Sequence, residues 1–227
     1  MSRFNIFNQI HKSLRVLLYD TAALIGRTDF EDPDQYEIIA GRVREVTAAF
    51  DNHAKHEDTL LLPMIEGYEP SVVDAFEMEH VEDHALSRKL NDSLMALDLA
   101  ISTEAKRELG NSLMHSFIEF MIFNLKHMYK EETLLNNILW RYYSDVELLE
   151  TNKKIVSVIP PIEMAFSSQW MMRALSDTEI ANWLRNVERN APEHVFRPLL
   201  ATAERELEKI RFRKILEGLT VGAMIAS

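Results

Sequence analysis

Residues 53–63 read HAKHEDTLLLP and residues 127–135 read HMYKEETLL, so one pattern, HxxxE(D/E)TLL, stands twice in the chain. On an α-helix, residues four apart lie about 40° apart around the axis and one turn along it. His53 with Glu57, and His127 with Glu131, can therefore reach into one space. Working outward from these pairs, apolar residues recur at alternating steps of three and four, the spacing that keeps side chains on one helical face. The first seam runs Tyr36, Ile39, Val43, Val46, Phe50, His53, Glu57, Leu60 and Met64, and the second runs Leu113, Phe117, Phe120, Asn124, His127, Glu131, Leu134 and Ile138. Two more seams follow: Phe4, Phe7, His11, Leu14 and Leu18, then a looser Val73, Phe76, His80, His84, Ser87, Asn91 and Leu94. Breakers at TDFEDP, GYEP, ISTE and Pro160–Pro161 separate four helices over residues 3–26, 34–66, 71–99 and 104–143. The expected fold is all-α, an up-down four-helix bundle with additional C-terminal helices.

Composition supports long helices over a many-stranded sheet, since 227 residues carry only 6 Gly and 7 Pro against 47% hydrophobic residues. A net charge of −11 repels phosphate backbones and anionic lipid, so neither nucleic acid nor a membrane is an expected partner. No run approaches the roughly 18 apolar residues of a membrane span, and the start lacks a signal-peptide core, so a cytoplasmic protein is the expectation. Cysteine is absent, which excludes disulfides, thiolate metal sites and thiol catalysis through this chain's own side chains. Any metal must use histidine and carboxylate.

All four seams contain histidine, giving five imidazoles, His11, His53, His80, His84 and His127, and two carboxylates, Glu57 and Glu131. One histidine on an apolar face is ordinarily a satisfied core residue. Five histidines and two carboxylates in one core would cost several kcal/mol per unpaired charge unless a cation compensated them. Spacing alone is weak, because chance supplies about one HxxxE pair in a chain of this composition. A third such pair, His115 with Glu119, lies about 120° from His127 around its helix and reads as a solvated face. His80 and His84, the one HxxxH pair, can share an ion, and each seam glutamate can bridge two. Seven such donors are too many for a tetrahedral zinc and suit two larger ions, with iron, manganese and zinc all compatible.

As a set and in this order, His11 of NQIHKSLR, HAKHEDTLLLP, HVEDH at 80–84 and HMYKEETLL resemble the hemerythrin-like HHE cation-binding domain family over residues 3–143. The resemblance implies a non-haem di-iron site with an oxo or hydroxo bridge, manganese or zinc ranking behind iron. It implies one iron on His80, His84 and His127, the other on His11 and His53, and Glu57 and Glu131 bridging. The two-histidine iron would keep an open position for dioxygen, peroxide or nitric oxide. Many family members place the fourth-helix carboxylate five residues after its histidine, which here selects Glu132. On a straight helix Glu132 points about 140° from His127, which favours Glu131 unless a local bulge intervenes.

Smaller features complete the reading. His56, at the seam's edge, reads equally as a pocket-lining or surface residue, and Asn124 and Asn91 as amides that orient imidazoles or bond backbone. The Met114, Met121 and Met128 row reads as core filling ahead of a channel wall. The expected division is a bundle domain over residues 1–143 and a helical extension over residues 144–227. In the extension, Pro160 and Pro161 open a segment with Met164, Trp170, Met171 and Met172. Ser176 and Glu179 form a capping box before Ile180, Trp183, Leu184 and Val187. A last amphipathic segment carries Val195, Leu199, Leu200, Ala203 and Leu207. These faces are expected to dock on the bundle or on a second chain, as a homodimer, and to supply no metal ligand.

The function expected first is binding of dioxygen or a related small molecule, for carriage, storage or sensing. The alternatives are a di-iron enzyme reducing peroxide or nitric oxide and an iron storage or donation protein. HVEDH counts against the last, since iron-centre repair proteins usually carry HxxxE there. A ferritin-like oxidase would need two ExxH motifs, and only Glu77 to His80 fits.

Overall fold

A computed structural model describes residues 3–225, with side chains described through residue 219. Every regular element among the described residues is helical, and no helix there is long and apolar enough to cross a membrane. The bundle rods are α1 (Asn8–Arg27); α2 (Pro33–His56), continuing through a π-turn at Glu57–Leu61 into α3 (Leu62–Ile65); α4 (Pro70–Leu99); and α5 (Thr103–Lys130), continuing through a second π-turn at Glu131–Leu135 into α6 (Asn136–Tyr142). Short connections between rods make sequential neighbours antiparallel.

Local chemistry sets the boundaries. The Asp32 carboxylate accepts from the Asp34 and Gln35 N–H groups with Pro33 at the first helical position, where a missing N–H costs nothing. Ser102 caps α5 through the Ala105 N–H at 3.2 Å, and Pro70 opens α4. Gly110 is where α5 approaches Phe30 most closely, since a Cβ there would stand 2.3 Å from that ring.

The chain divides into two compact units, Met1–Asn8 with Leu17–Val158, and Gln9–Val16 with Ile159–Ser227. The first unit includes α7 (Asp145–Val158). Its apolar core holds Phe7, Leu61, Leu62, Ile65, Val73, Phe76, Leu135, Ile138, Leu139 and Leu148. Arg3 ties the N-terminal strap to this unit, donating to Asp145 Oδ1 at 2.9 Å and to the Tyr143 carbonyl at 2.6 Å.

The second unit contains α8 (Pro161–Ala174), α9 (Asp177–Asn190), α10 (Glu193–Glu206) and α11 (Lys209–Ile225). The Ser176–Glu179 capping box is present in both directions. Met172, Leu175, Ile180, Leu184, Leu199, Ala203, Leu207 and Ile215 pack into one core. These helices therefore bury much of their apolar surface against one another. Val195, expected on the apolar face, is exposed instead.

The two π-turns account for a second departure. Leu62 N–H donates to the Glu57 carbonyl and Asn136 N–H to the Glu131 carbonyl, each five residues back rather than four. The wider turn inserts one residue and advances the seam by one position. After Glu57 the buried residues are Leu61, Leu62 and Ile65, where the spacing predicted Leu60 and Met64. After Glu131 they are Leu135, Asn136, Ile138 and Leu139, so Ile138 stays on the expected seam while Leu134 is 47% exposed. The threonine of each TLL repeat takes part. Thr59 donates to the Lys55 carbonyl and Thr133 to the Tyr129 carbonyl, both at 2.7 Å, giving those carbonyls a partner where the helical ladder lengthens.

Candidate metal centre

Up to each π-turn the helix is regular, so His53 and Glu57, and His127 and Glu131, stay one turn apart on the inner face. Both glutamates and His11, His80 and His127 are buried, and the His53 side chain is 11% exposed. His127 Nε2 lies 3.0 Å from Glu131 Oε1, and His53 Nε2 lies 3.3 Å from Glu57 Oε1. Two sets of four donors converge: His11, His53, Glu57 and Glu131, and Glu57, His80, His127 and Glu131. Within each, one ligand atom per residue lies within 4.8 Å of all the others. Glu57 and Glu131 belong to both sets, as bridging carboxylates would. Glu131 is fully buried whereas Glu132 is half-buried, because the π-turn begins at residue 131 and leaves the step from His127 α-helical.

His84 stands in neither set. Its side chain is 38% exposed and its Nδ1 meets Asp51 Oδ1 at 2.8 Å. The inward position next to it is taken by Asp83, which is buried and accepts from Asn124 Nδ2 at 2.6 Å. Asn124 also donates to the Phe120 carbonyl, and Asn91 donates to the Ser87 carbonyl, so both amides bond carboxylate or backbone in place of the imidazoles. His115 is exposed and Glu119 pairs with Lys89, as a solvated face requires. Of the methionine row, Met128 is buried while Met114 lines a surface cleft with Gly26 and Phe30. His56 is half-buried at the edge of the seam.

Carboxylates that the sequence reading did not single out hold the outer nitrogens. His80 Nδ1 meets Asp58 Oδ1 at 2.6 Å, and His127 Nδ1 meets Glu79 Oε2 at 2.9 Å. Glu79 is itself paired with Lys130. Asp58 follows Glu57 and Glu79 precedes His80 in sequence, so an acid adjoining a ligand was the available signal; which ring each one holds was not.

Electrostatics fit a cation. Burial, then repulsion from Glu131, pushes the Glu57 carboxyl well above its ordinary range. The Glu57 oxygens face His53 Nε2 at 3.3 Å and His80 Nε2 at 3.5 Å. Burial works to lower His127, but Glu131, Glu57 and Glu79 outweigh it and raise the ring to about 9. His80 Nε2 and His127 Nε2 are 3.1 Å apart. Neighbouring nitrogens around an ion with bonds of about 2.1 Å are separated by about 3.0–3.4 Å. A buried cation would offset the two carboxylates and give those nitrogens a shared partner.

Comparison with curated proteins and with solved structures gave no match. The family model described as "Hemerythrin HHE cation binding domain" matches residues 3–139, a span that holds both donor sets and all four rods but the last turn of α6. The chain belongs to the hemerythrin HHE cation-binding family.

Proposed function

We propose that this is a non-haem di-iron protein that binds dioxygen or a related small molecule at an open iron position. The observation that carries the reading is the pair of four-donor sets sharing Glu57 and Glu131. In this reading His11 and His53 would hold one ion and His80, His84 and His127 the other, with Glu57 and Glu131 shared between them. His84 is included because Asp51 holds its Nδ1 as Asp58 holds that of His80, which directs Nε2 to be the ring's metal-binding atom.

When bound, two iron ions supply electrons to a small oxygen or nitrogen oxide ligand. The chain's own residues set the surroundings. Phe76 meets the His127 ring edge-on at 5.6 Å between centroids, and Phe123 stacks on it at 6.1 Å, limiting water on both sides. Leu61 and Leu135, one turn past the glutamates, begin an apolar layer that closes that end of the centre. Exclusion of water favours retention of a ligand over its hydrolytic loss.

Metal analysis of protein grown with iron should find two ions per chain; one or none overturns the dinuclear reading. Anaerobic reduction followed by exposure to oxygen should give a visible absorption band that disappears on degassing. Bleaching with consumption of peroxide or nitric oxide would assign an enzyme instead. Steady transfer of iron to an acceptor would assign storage or donation.

A further inference from the structure

We propose that Glu79, anchored by Lys130, is a positioning residue that fixes the His127 ring with Nδ1 protonated and Nε2 directed at the metal centre. Asp58 does the same for His80, so the two imidazoles reach one ion as a preorganised pair. The inference rests on the metal-binding reading above and adds to it the residues that set how tightly the ion is held.

The argument is one of tautomers. A neutral imidazole carries one N–H and one lone pair, and the group facing one nitrogen decides which is which. Carboxylates accept only, so Asp58 at 2.6 Å and Glu79 at 2.9 Å each favour a proton on the Nδ1 they face; Glu131, 3.0 Å from His127 Nε2, attracts a proton to that nitrogen too, and it is this inner proton that a cation would displace while Nδ1–H stays on Glu79. In the neutral rings both Nε2 atoms are then lone-pair donors, and they stand 3.1 Å apart. Two lone pairs at that distance repel unless a proton or cation lies between them, so the outer carboxylates hold the pair in a form that a metal completes. Glu79 reaches His127 from α4, 48 positions away in sequence, and could swing into solvent were it not also held by the exposed Lys130 ammonium. A freely turning imidazole would have to be ordered when the ion arrives, and preorganisation removes that cost.

Cobalt(II) titration of the full-length, metal-free protein against a competing chelator tests this. Glu79→Leu should weaken binding by about 10- to 100-fold. Glu79→Gln, whose amide oxygen can accept the same Nδ1–H, should recover most of that loss, and Lys130→Met should fall between Gln and wild type. In proton spectra of the zinc-loaded protein, wild type should show a slowly exchanging downfield imidazole N–H that Glu79→Leu lacks. That resonance reads ring orientation, which a general loss of stability would not remove selectively. Equal weakening by Leu and Gln, or wild-type affinity in Glu79→Leu, overturns the assignment. If Glu79→Leu fails to fold by circular dichroism, Lys130→Met and Glu79→Gln decide it, and wild-type spectra in both overturn the Lys130 anchor. Wild-type protein that takes up no cobalt, zinc or iron overturns the metal-binding reading itself, an outcome distinct from any ratio between variants.

Discussion

The interior of the first unit and that of the second are built from helices of similar amphipathic design, yet they bury different chemistry. The second packs Met172, Leu175, Ile180, Leu184, Leu199, Ala203 and Leu207 into an apolar cluster among α8 to α11. The first buries Glu57, His80, Asp83, His127 and Glu131 at mid-height, between apolar residues such as Phe50, Leu90, Phe117 and Phe120 before the π-turns and Leu61, Leu135 and Leu139 beyond them. Desolvating such charges costs several kcal/mol each, so a bundle chosen for stability alone would carry leucine at those positions. Packing stabilises both units, and in the first the charged layer adds a dependence on what neutralises it.

The largest effect expected from this contrast follows removal of a shared donor. Glu57→Ala and Glu131→Ala should each reduce metal content from two ions per chain to one or none, while exposed His115→Ala retains both. Equal losses in all three, measured by elemental analysis, would break the distinction between seam and surface histidines.

Chelation should come next. With free metal at about 1,000 times its dissociation constant, removal costs the folded state about 4 kcal/mol, or roughly 8–16 °C for a chain of this size. Hydrogen exchange at neutral pH should show faster exchange in α2, α4 and α5 with α9 and α10 unchanged. Uniform acceleration across both units would mean that they unfold together.

The pH dependence of the metal-free protein is the third. His127 is raised from 6.5 to about 9, so its contribution to stability is complete below pH 6.5 and is lost as pH rises through about 9. Glu57, also raised, acts in the same direction, its contribution being lost as pH rises through its elevated value. The metal-free bundle should therefore lose stability between pH 6.5 and 9, while metal affinity rises in that window as protons cease to compete. In the second unit, burial tends to raise Glu206, but Arg205 and Arg173 prevail and lower it. Its contribution is present above about pH 4.5 and lost in acid, leaving that unit flat over the same window. Melting curves resolved by unit check both halves.

Smallest is Ser176→Ala, which removes the hydroxyl of the α9 capping box and should cost about 1 kcal/mol without altering metal affinity. A change in affinity would show that α9 supports the centre energetically.

The helices were legible because their determinants are local. Caps at Asp32, Ser102 and Ser176 and the breaks at Pro70 and Pro161 act within a turn or two, and the rods follow the expected spans closely. The residues of the two donor sets were also legible, since His11, His53, Glu57, His80, His127 and Glu131 all stand in seams with helical spacing. Less was visible around His84, where the spacing did not reveal that Asp51 would meet its Nδ1 or that Asp83 would be buried beside it.

By itself the sequence determined that four amphipathic rods would form and that imidazoles and carboxylates would meet inside them, because helical periodicity is set by hydrogen bonds four residues apart. Tertiary structure alone decided the phase of α3 and α6, since widening a turn to a five-residue bond depends on what its far side must pack against. It also decided which acid holds which imidazole. Asp58 with His80 spans 22 positions and Glu79 with His127 spans 48, and no local energy term couples residues that far apart until the rods have packed.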